Sequence, residues 1–299
     1  MRSSLVCSLM KHRFRGLLAI HLAVLLFGVS GLFGKFLDLS PSLIVFGRTF
    51  FASVALAIAL AILKERIKFK RRKDLLGFLL MGGILAIHWV TFFHSIQIST
   101  VAIGLLTFSS FPIFVTFLEP FFFQERIRAF DVVISIVVFI GLVLVIPEFD
   151  LANNLTLGVF WGTVSGFTFA LLSVLNRQFV ANYPALTISL YQDAVACLIL
   201  LPFVGQAALS ITPFELGQLV LLGVIFTALA HTLFIRGMLV IKAQLASVIA
   251  CLEPLYGILL ALFLLQEVPS IRELIGGIFI VGAIAYATAR SGDRMDEQT

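Results

Sequence analysis

Apolar runs of about twenty residues follow one another along almost the whole chain, and this pattern limits the fold more than any other feature. A helix needs about 20 mainly apolar residues to cross the hydrocarbon core of a bilayer. Open strands cannot cross it, and no segment alternates as a barrel strand would. We therefore predict an all-α integral membrane protein with ten transmembrane helices, at about 17–37, 42–63, 75–97, 100–123, 129–147, 156–180, 184–204, 214–236, 243–265 and 271–290.

The composition supports this class of protein. Of the 299 residues, 60% are hydrophobic and 12% are charged, whereas soluble domains carry about 25% charged residues. The net charge of +5 does not indicate nucleic-acid binding, because the basic residues lie in short segments between apolar runs. Cys7, Cys197 and Cys251 are far apart in the sequence, so they indicate neither a metal site nor a disulfide.

The distribution of Lys and Arg predicts how the chain is oriented, since cytoplasmic loops are enriched in these residues. A basic cluster precedes the first span, and "KERIKFKRRK" (64–73) joins the second span to the third. The opposite side has Lys35 and Arg272, both at span edges. Both termini are therefore predicted to be cytoplasmic, with an uncleaved N-terminal leader that starts at Met1 or Met10.

The two halves of the sequence resemble each other at an offset of 142 residues. Pro112 falls on Pro254, Lys35 on Arg177, and the pair Gln124 and Glu125 on Gln266 and Glu267. A nearly constant offset across five spans indicates an internal repeat. Since five is odd, the second copy must enter the membrane from the opposite side. We predict two inverted-topology repeats, 1–148 with the cytoplasmic leader and 149–299 with a short cytoplasmic tail, and substrate near the midplane between them.

A proline inside the fourth span and a glutamate at its end, repeated in the ninth, resemble the EamA family of the drug/metabolite transporter superfamily. The residues are Pro112 with Glu125, and Pro254 with Glu267. "RELIGGIFIVGAIAYA" (272–287) is similar to the family's last helix. The resemblance implies ten helices in a bacterial inner membrane and carriage of small metabolites without ATP, often outward. The first copy departs from the pattern at its end, where it lacks the glycine pair of the second.

Charged and polar groups inside the spans need an explanation, because a charge at the centre of a span is costly. Arg48 lies about six residues into the second span. It is either a substrate or counter-ion contact, or half of an ion pair with Asp193 or Glu253. Its partner in the repeat is Tyr191, which either faces the cavity or packs between helices. Such residues form the predicted substrate-binding set of Arg48, His88, Ser109, Glu119, Tyr191, Asp193, His231, Glu253 and Tyr256.

Two spans carry a polar stripe along one helical face. In the fourth span the stripe is Ser109, Pro112, Thr116 and Glu119, at helical spacing. Its equivalent in the ninth span includes Pro254, with Glu253 and Tyr256 on a neighbouring face. A proline frees a backbone carbonyl, which can line a wet cavity. The alternative interpretation is a stripe that packs helices together.

Histidines lie inside the third and eighth spans. His88 shares a face with Thr91 and Ser95, and His231 shares one with Thr227. A histidine can carry a coupling proton because its pKa lies near physiological pH; the alternative is a hydrogen bond to a neighbouring group. Neither histidine has the spacing of a metal site, so no metal and no cofactor are predicted.

The segment "FGVSGLFGK" contains Gly28, Gly31 and Gly34, followed by Lys35. It is not a Walker loop, because five residues instead of four separate Gly28 from Gly34 and no hydroxyl residue follows the lysine. Small residues at this spacing let helices approach closely. With Pro112 and Pro254, these glycines form the predicted packing or gating set. Lys35 is expected to reach the lipid headgroups.

The predicted function is a secondary transporter of small metabolites, such as amino acids or related amphiphiles. Arg48 and Glu253 would offer complementary charges to a zwitterion. The alternatives are a multidrug exporter whose cavity is walled by some of the 31 phenylalanines, and a non-transporting receptor or scaffold. A membrane-embedded enzyme finds no support, since neither HExxH nor a Ser/His/Asp cluster is present. The expected partners are a small-molecule substrate and the bilayer, not nucleic acid; a coupling proton and a homodimer are left open.

Overall fold

The structure, a computed structural model, describes residues 2–65, 71–123, 129–145, 153–205, 210–241, 243–250 and 252–296, and within these ranges its regular elements are all helices. In chain order they are α1 (Arg2–Phe36), α2 (Pro41–Ile62), α3 (Arg72–Ile98), α4 (Val101–Phe108), α5 (Phe111–Phe123), α6 (Ala129–Val145), α7 (Asn154–Val180), α8 (Ala185–Val204), α9 (Pro213–Gly223), a π-helical turn (Val224–Leu229), α10 (Ala230–Gly237), α11 (Ala243–Ala250), α12 (Glu253–Leu264) and α13 (Ile271–Asp296).

In the described residues, each predicted span consists of one helix or of consecutive helices. The chain is an integral membrane protein. Seven helical stretches are long and apolar enough to cross a bilayer, and 132–145 and 253–264 form shorter apolar helices. The outer surface is apolar, with Leu76, Phe121 and Ile278 each more than 70% exposed, as expected for side chains that face lipid. The first candidate span covers Phe14–Phe36, close to the predicted 17–37, and α1 continues from it towards the N-terminus as far as Arg2.

The fourth and ninth predicted spans are each divided into two helices. Ser109 and Ser110 form a turn between α4 and α5, and α5 begins directly after it with Phe111 and Pro112. In the second half, α12 begins at Glu253, directly before Pro254. Proline lacks an N–H group and disfavours helical geometry in the residue before it, so each proline weakens the helix at this point. The two interruptions lie at positions that the 142-residue offset aligns.

The eighth span is interrupted differently, by the π-helical turn between α9 and α10. The Thr227 hydroxyl donates to the carbonyl of Leu222, five residues earlier, at 2.8 Å. Single π-turns inside helices widen the backbone and recur at functional sites. The aligned helix of the first half, α3, is a continuous α-helix, so the two halves differ here.

The helices of one half pack mainly on those of the other. The principal contacts join α3 to α7, α1 to α10, α4 and α5 to α7, and α1 to α12; α2 packs on α8, and α6 packs on α13. Exchanging each helix for its equivalent in the other half converts the α3–α7 contact into α1–α10 and the α5–α7 contact into α1–α12, and it leaves α2–α8 and α6–α13 unchanged. The α4–α7 contact corresponds to the less extensive contact of α1 with α11. The packing therefore places groups from both halves around the centre of the molecule.

Glycines permit two of the closest crossings. A Cβ on Gly28 of α1 would lie 2.8 Å from Cβ of Tyr256 and 3.1 Å from the carbonyl oxygen of Glu253 on α12. A Cβ on Gly276 of α13 would lie 2.6 Å from the carbonyl oxygen of Gly141 on α6. Gly31 faces Leu105 at the ordinary contact distance of 3.4 Å, so among the first two glycines of the motif Gly28 makes the tight approach. That approach fixes the first turn of α12, which carries Glu253.

Candidate functional site

A small cavity lies between the two halves. Helices α1 to α4 contribute to it from the first half, and α7, α10 and α12 from the second. Its walls combine four ionisable side chains with five aromatic rings, and small-molecule sites in proteins commonly have this mixture. The lining residues are Phe27, Ser30, Arg48, Leu85, His88, Trp89, Phe92, Phe108, Phe169, His231 and Glu253.

Arg48 is the best-anchored polar group of this cavity. It is 1% exposed, and its guanidinium carbon lies 3.9 Å from the centroid of the Trp89 ring, a cation–π arrangement. Its Nε donates to Thr227 Oγ1 at 2.9 Å, and one terminal nitrogen lies 3.4 Å from the Phe226 carbonyl. Both acceptors belong to the π-helical turn, so the irregular backbone of the second half holds the arginine of the first.

Two carboxylates lie near enough to Arg48 to act on it electrostatically, Asp193 and Glu253. Glu253 is buried and lines the cavity from the first turn of α12. Asp193 is fully buried on α8 and is not among the lining residues. Within the described ranges, neither carboxylate comes within 4.0 Å of an Arg48 nitrogen. The ion pair that offered one explanation of Arg48 is therefore not formed in this conformation.

The two cavity histidines are held differently. His88 Nδ1 lies 2.8 Å from the Ser165 hydroxyl and 3.1 Å from the Ser165 carbonyl, and its ring packs between those of Phe108 and Phe169. His231 packs edge-on against Trp89 at 5.8 Å, and neither of its ring nitrogens has a hydrogen-bond partner among the described residues. His88 thus matches the interpretation of a histidine bound to a neighbour, whereas His231 keeps both nitrogens available.

Five residues of the predicted substrate-binding set lie outside the cavity lining: Asp193, described above, and four others. The Ser109 hydroxyl donates to the Leu105 carbonyl at 2.9 Å at the end of α4. Tyr191 packs against Phe78, with 4.7 Å between ring centroids. Tyr256 lies on α12 against Gly28. Glu119 accepts a hydrogen bond from Arg177. Their roles in substrate binding stay predictions.

The aromatic residues of the cavity were not singled out from the sequence. Phe27, Trp89, Phe92, Phe108 and Phe169 line it. In "HWVTFF", Trp89 follows His88 directly and Phe92 lies one helical turn further on. Their position near a histidine inside a span was the only feature of the sequence that could have indicated that these two line the cavity. It is weak, because phenylalanine contributes 31 residues to the chain.

Ion pairs join the two halves at two separate places. Arg177 of α7 lies 2.6 Å from Glu119 of α5, and its guanidinium stacks on Phe123 at 4.0 Å. Lys35 of α1 donates to the Ser99 carbonyl at 2.8 Å and lies 3.9 Å from Glu267. The expectation that Lys35 reaches the headgroups is therefore incomplete, since its ammonium group has partners inside the protein.

Glu267 also accepts a hydrogen bond from the backbone N–H of Val101 at 2.9 Å, so it fixes the start of α4. This contact makes Glu267 a charge that connects the end of the ninth span to the start of the fourth. Its repeat partner Glu125 lies outside the described residues.

Comparison with known proteins gives a family. The EamA-like transporter family matches residues 14–146 and, separately, residues 156–289. The chain belongs to the EamA-like transporter family. The resemblance noted in the sequence is thereby confirmed, and the two matches divide the chain near the predicted repeat boundary.

Other members of the EamA-like family resemble this chain over most of its length. The uncharacterized transporter YxxF of Bacillus subtilis is 23% identical, over 94% of this chain and 91% of its own. The uncharacterized inner membrane transporter YicL of Salmonella typhimurium is 28% identical, over 94% and 97%. An S-adenosylmethionine uptake transporter of Rickettsia conorii is 24% identical, over 73% and 74%. A crystal structure of 21% sequence identity has the same fold, with a TM-score of 0.70 over 93% of this chain and 98% of the other.

Proposed function

We propose that this EamA-like transporter is a secondary carrier of a small amphiphilic zwitterion, such as an amino acid, and that it works by alternating access through the central cavity. The observation that carries the proposal is that Arg48 and Glu253 line the same cavity, which has aromatic walls and lies between the two halves. The guanidinium suits a substrate carboxylate, and the carboxylate suits an ammonium group. The aromatic rings would hold an apolar side chain.

The architecture that we propose for this mechanism has ten spans in two inverted repeats, 1–148 and 149–299, with both termini in the cytoplasm. Three observations support it. The family matches the chain twice, most of the principal contacts between helices persist when the halves are exchanged, and the fourth and ninth spans are interrupted at aligned positions. Interrupted helices in corresponding places of two halves are a frequent feature of transporter binding sites.

The substrate named for one of the relatives is compatible with a zwitterion. S-adenosylmethionine carries an α-ammonium group and an α-carboxylate, as free amino acids do, and an uptake transporter for it is among the similar proteins. The location that we propose is the bacterial inner membrane, as in the name of the Salmonella relative. Export remains a second direction to test, because carriers without ATP follow the gradients that are applied.

A multidrug carrier is the second candidate, and the five aromatic rings beside a buried glutamate favour it. Aromatic faces attract organic cations, and Glu253 would neutralise one. Such a substrate would not need Arg48, whose positive charge would oppose it. The two candidates therefore predict different sensitivities to substitution of Arg48.

Flux through purified protein in liposomes tests both candidates. The probes are labelled phenylalanine, methionine, S-adenosylmethionine and the lipophilic cation tetraphenylphosphonium, each measured in both directions. We expect saturable flux of a zwitterion that Arg48→Ala and Glu253→Ala each abolish. Flux of tetraphenylphosphonium alone, retained in Arg48→Ala, would favour the multidrug carrier. Absence of flux for all probes from a folded protein would contradict the proposal.

A further inference from the structure

A second buried polar site lies on α8, outside the cavity lining. Asp193 is 0% exposed, and neither of its carboxylate oxygens has a hydrogen-bond partner among the described residues. The adjacent Gln192 is also 0% exposed; its amide nitrogen donates to Asn176 Oδ1 at 2.6 Å, while its oxygen has no partner in the same part of the chain. Among the described residues, the unpartnered atoms of this cluster are three acceptor oxygens, two on Asp193 and one on Gln192, and one donor, the amide nitrogen of Asn176.

An ionised carboxylate without hydrogen bonds is strongly unfavourable inside a protein, and more so inside a bilayer. Two events can remove the penalty at Asp193: binding of a proton, or a positive charge close by. Arg48 is the charge that acts on Asp193. Yet Arg48 donates to Thr227 and Phe226 and stacks on Trp89 instead of binding Asp193 directly. The state of Asp193 therefore depends on how far the charge of Arg48 is available to it.

We propose that Asp193 carries a coupling proton, and that substrate and proton cross the membrane in the same direction. This inference rests on the proposed function, because it requires a substrate carboxylate that binds Arg48. When that carboxylate neutralises Arg48, the ionised form of Asp193 loses its counter-charge, and the Asp193 carboxylate takes one proton from water to become a carboxylic acid. When the substrate leaves on the other side, Arg48 again favours the ionised form, and the same proton returns to water there.

The coupling is reciprocal, since two ligands that act on one charge must affect each other's binding equally. Protonation of Asp193 removes one of the carboxylates that act on Arg48, so the guanidinium binds a substrate carboxylate more strongly. Glu253 acts on the same guanidinium, but it lines the cavity and is assigned to the substrate ammonium group. Of the two carboxylates that act on Arg48, the structure thus places Glu253 in the cavity lining and Asp193 outside it.

Other ionisable groups near α8 fit the role less well. The elements packed against α8 carry Arg48 on α2, Lys73, Asp74, His88 and His94 on α3, His231 and Arg236 on α10, and Arg177 on α7, with Tyr191 and Cys197 on α8 itself. Asp74 accepts a hydrogen bond from Tyr183. His88 is bound to Ser165, and Arg177 is paired with Glu119. A proton on His231 would place a second positive charge in the cavity that holds Arg48. Cys197 is a thiol, which is not expected to ionise beside an acidic residue.

The test separates net transport from exchange, in liposomes, with labelled phenylalanine and S-adenosylmethionine as probes. In the wild type, acid outside should increase uptake, and a pH dye trapped inside should report proton entry with the substrate. Asp193→Asn should lose both responses and keep counterflow, in which labelled substrate exchanges at equal pH. Cys197→Ser, one turn further along α8, is the matched control and should behave as the wild type does.

Several results would overturn the inference. The first is wild-type flux that does not depend on the pH gradient, which would leave the proposed carrier function intact. The second is a pH response that persists in Asp193→Asn. If His231→Gln abolishes that response instead, the proton is carried by His231. If Asp193→Asn does not fold, Asp193→Glu should retain proton entry with a shifted pH profile, and an unshifted profile would contradict the assignment. Proton efflux during substrate entry would show the opposite coupling. Absence of flux for every probe would refute the carrier function itself.

Discussion

At the scale of single residues, the proposed substrate site depends most on Arg48 and Glu253. Both are buried and both line the cavity. Arg48 is oriented by Thr227, by the Phe226 carbonyl and by the Trp89 ring, so its guanidinium is presented in a fixed position. A group held this way loses little freedom when a substrate binds, which favours affinity.

The first prediction concerns these two charges. Arg48→Ala and Glu253→Ala should each abolish transport, a loss of at least about a hundredfold in flux if each removes about 3 kcal/mol of a charge-assisted contact. Size-exclusion profiles should show that both proteins are folded. The double variant Arg48→Glu with Glu253→Arg should recover folding at best, because the polarity of the site is then reversed relative to the other cavity contacts. Wild-type flux in both alanine variants would show that the site is wrongly placed.

The sequence predicted the ionisable residues of the cavity because such groups stand out in apolar spans: Arg48, His88, His231 and Glu253 all line it. It did not predict which aromatic rings surround them, since phenylalanine is frequent on lipid-facing surfaces as well. Ser109 was proposed from its position on a helical face, but a face does not reveal which neighbour covers it. In the structure, the Ser109 hydroxyl donates a hydrogen bond to the Leu105 carbonyl of α4.

Helices and their interruptions set the geometry in which these residues act. The breaks near Pro112 and Pro254 could be anticipated, because proline cannot continue a backbone hydrogen-bond ladder. The π-helical turn at Val224–Leu229 could not, since no residue type requires it. Its consequence is specific: Thr227 and Phe226 become acceptors for Arg48. The feature that holds the central cation is therefore the part of the fold least visible in the sequence.

The second prediction concerns the crossing of α1 and α12. Gly28→Ala should lower the stability of the protein by about 1–3 kcal/mol, because its new methyl group would press on Tyr256 and on the backbone of Glu253. It should also weaken transport by displacing Glu253. Thermal unfolding in detergent measures the effect. Gly217→Ala on α9 is the control, since a Cβ there meets nothing within 4 Å; equal melting temperatures for the two variants would contradict the argument.

The third prediction compares the ion pairs that join the halves. Arg177→Gln should destabilise the protein by about 3–5 kcal/mol, because it removes the cation that lies 2.6 Å from Glu119, whose side chain is 4% exposed. Lys35→Gln should cost about 1 kcal/mol or less, since Lys35 and Glu267 are 3.9 Å apart and each about 25% exposed. The double variant Arg177→Gln with Glu119→Gln should regain part of the loss. Melting temperatures that rank the two single variants in the opposite order would refute this comparison.

At the scale of the whole molecule, the relation between the halves organises both the fold and the site. Each half is helical throughout its described residues, and each contributes side chains to the cavity. Lys35 and Arg177, which the repeat aligns, each bind the interrupted span of the other half, through Glu267 and Glu119. If the halves have opposite topology, these pairs lie at opposite ends of the molecule. Exchange of one closed end for the other would then provide alternating access.

The last prediction tests that topology directly. Cys7, Cys197 and Cys251 are first replaced with serine, and single cysteines are then placed at Glu65, at Arg71, near either terminus, and in the 148–154 connection, most of which lies outside the described residues. Impermeant thiol reagents should label 148–154 in intact cells, and they should label the other positions only after the membrane is opened, because an odd number of spans in each half puts the central connection on the far side. Activity of the serine background confirms that the protein is inserted normally. If the central connection is labelled from the cytoplasm, as both termini are, the first half must have an even number of spans. The halves would then not be inverted, and the two ion pairs would not lie at opposite ends of the molecule, as alternating access requires of them.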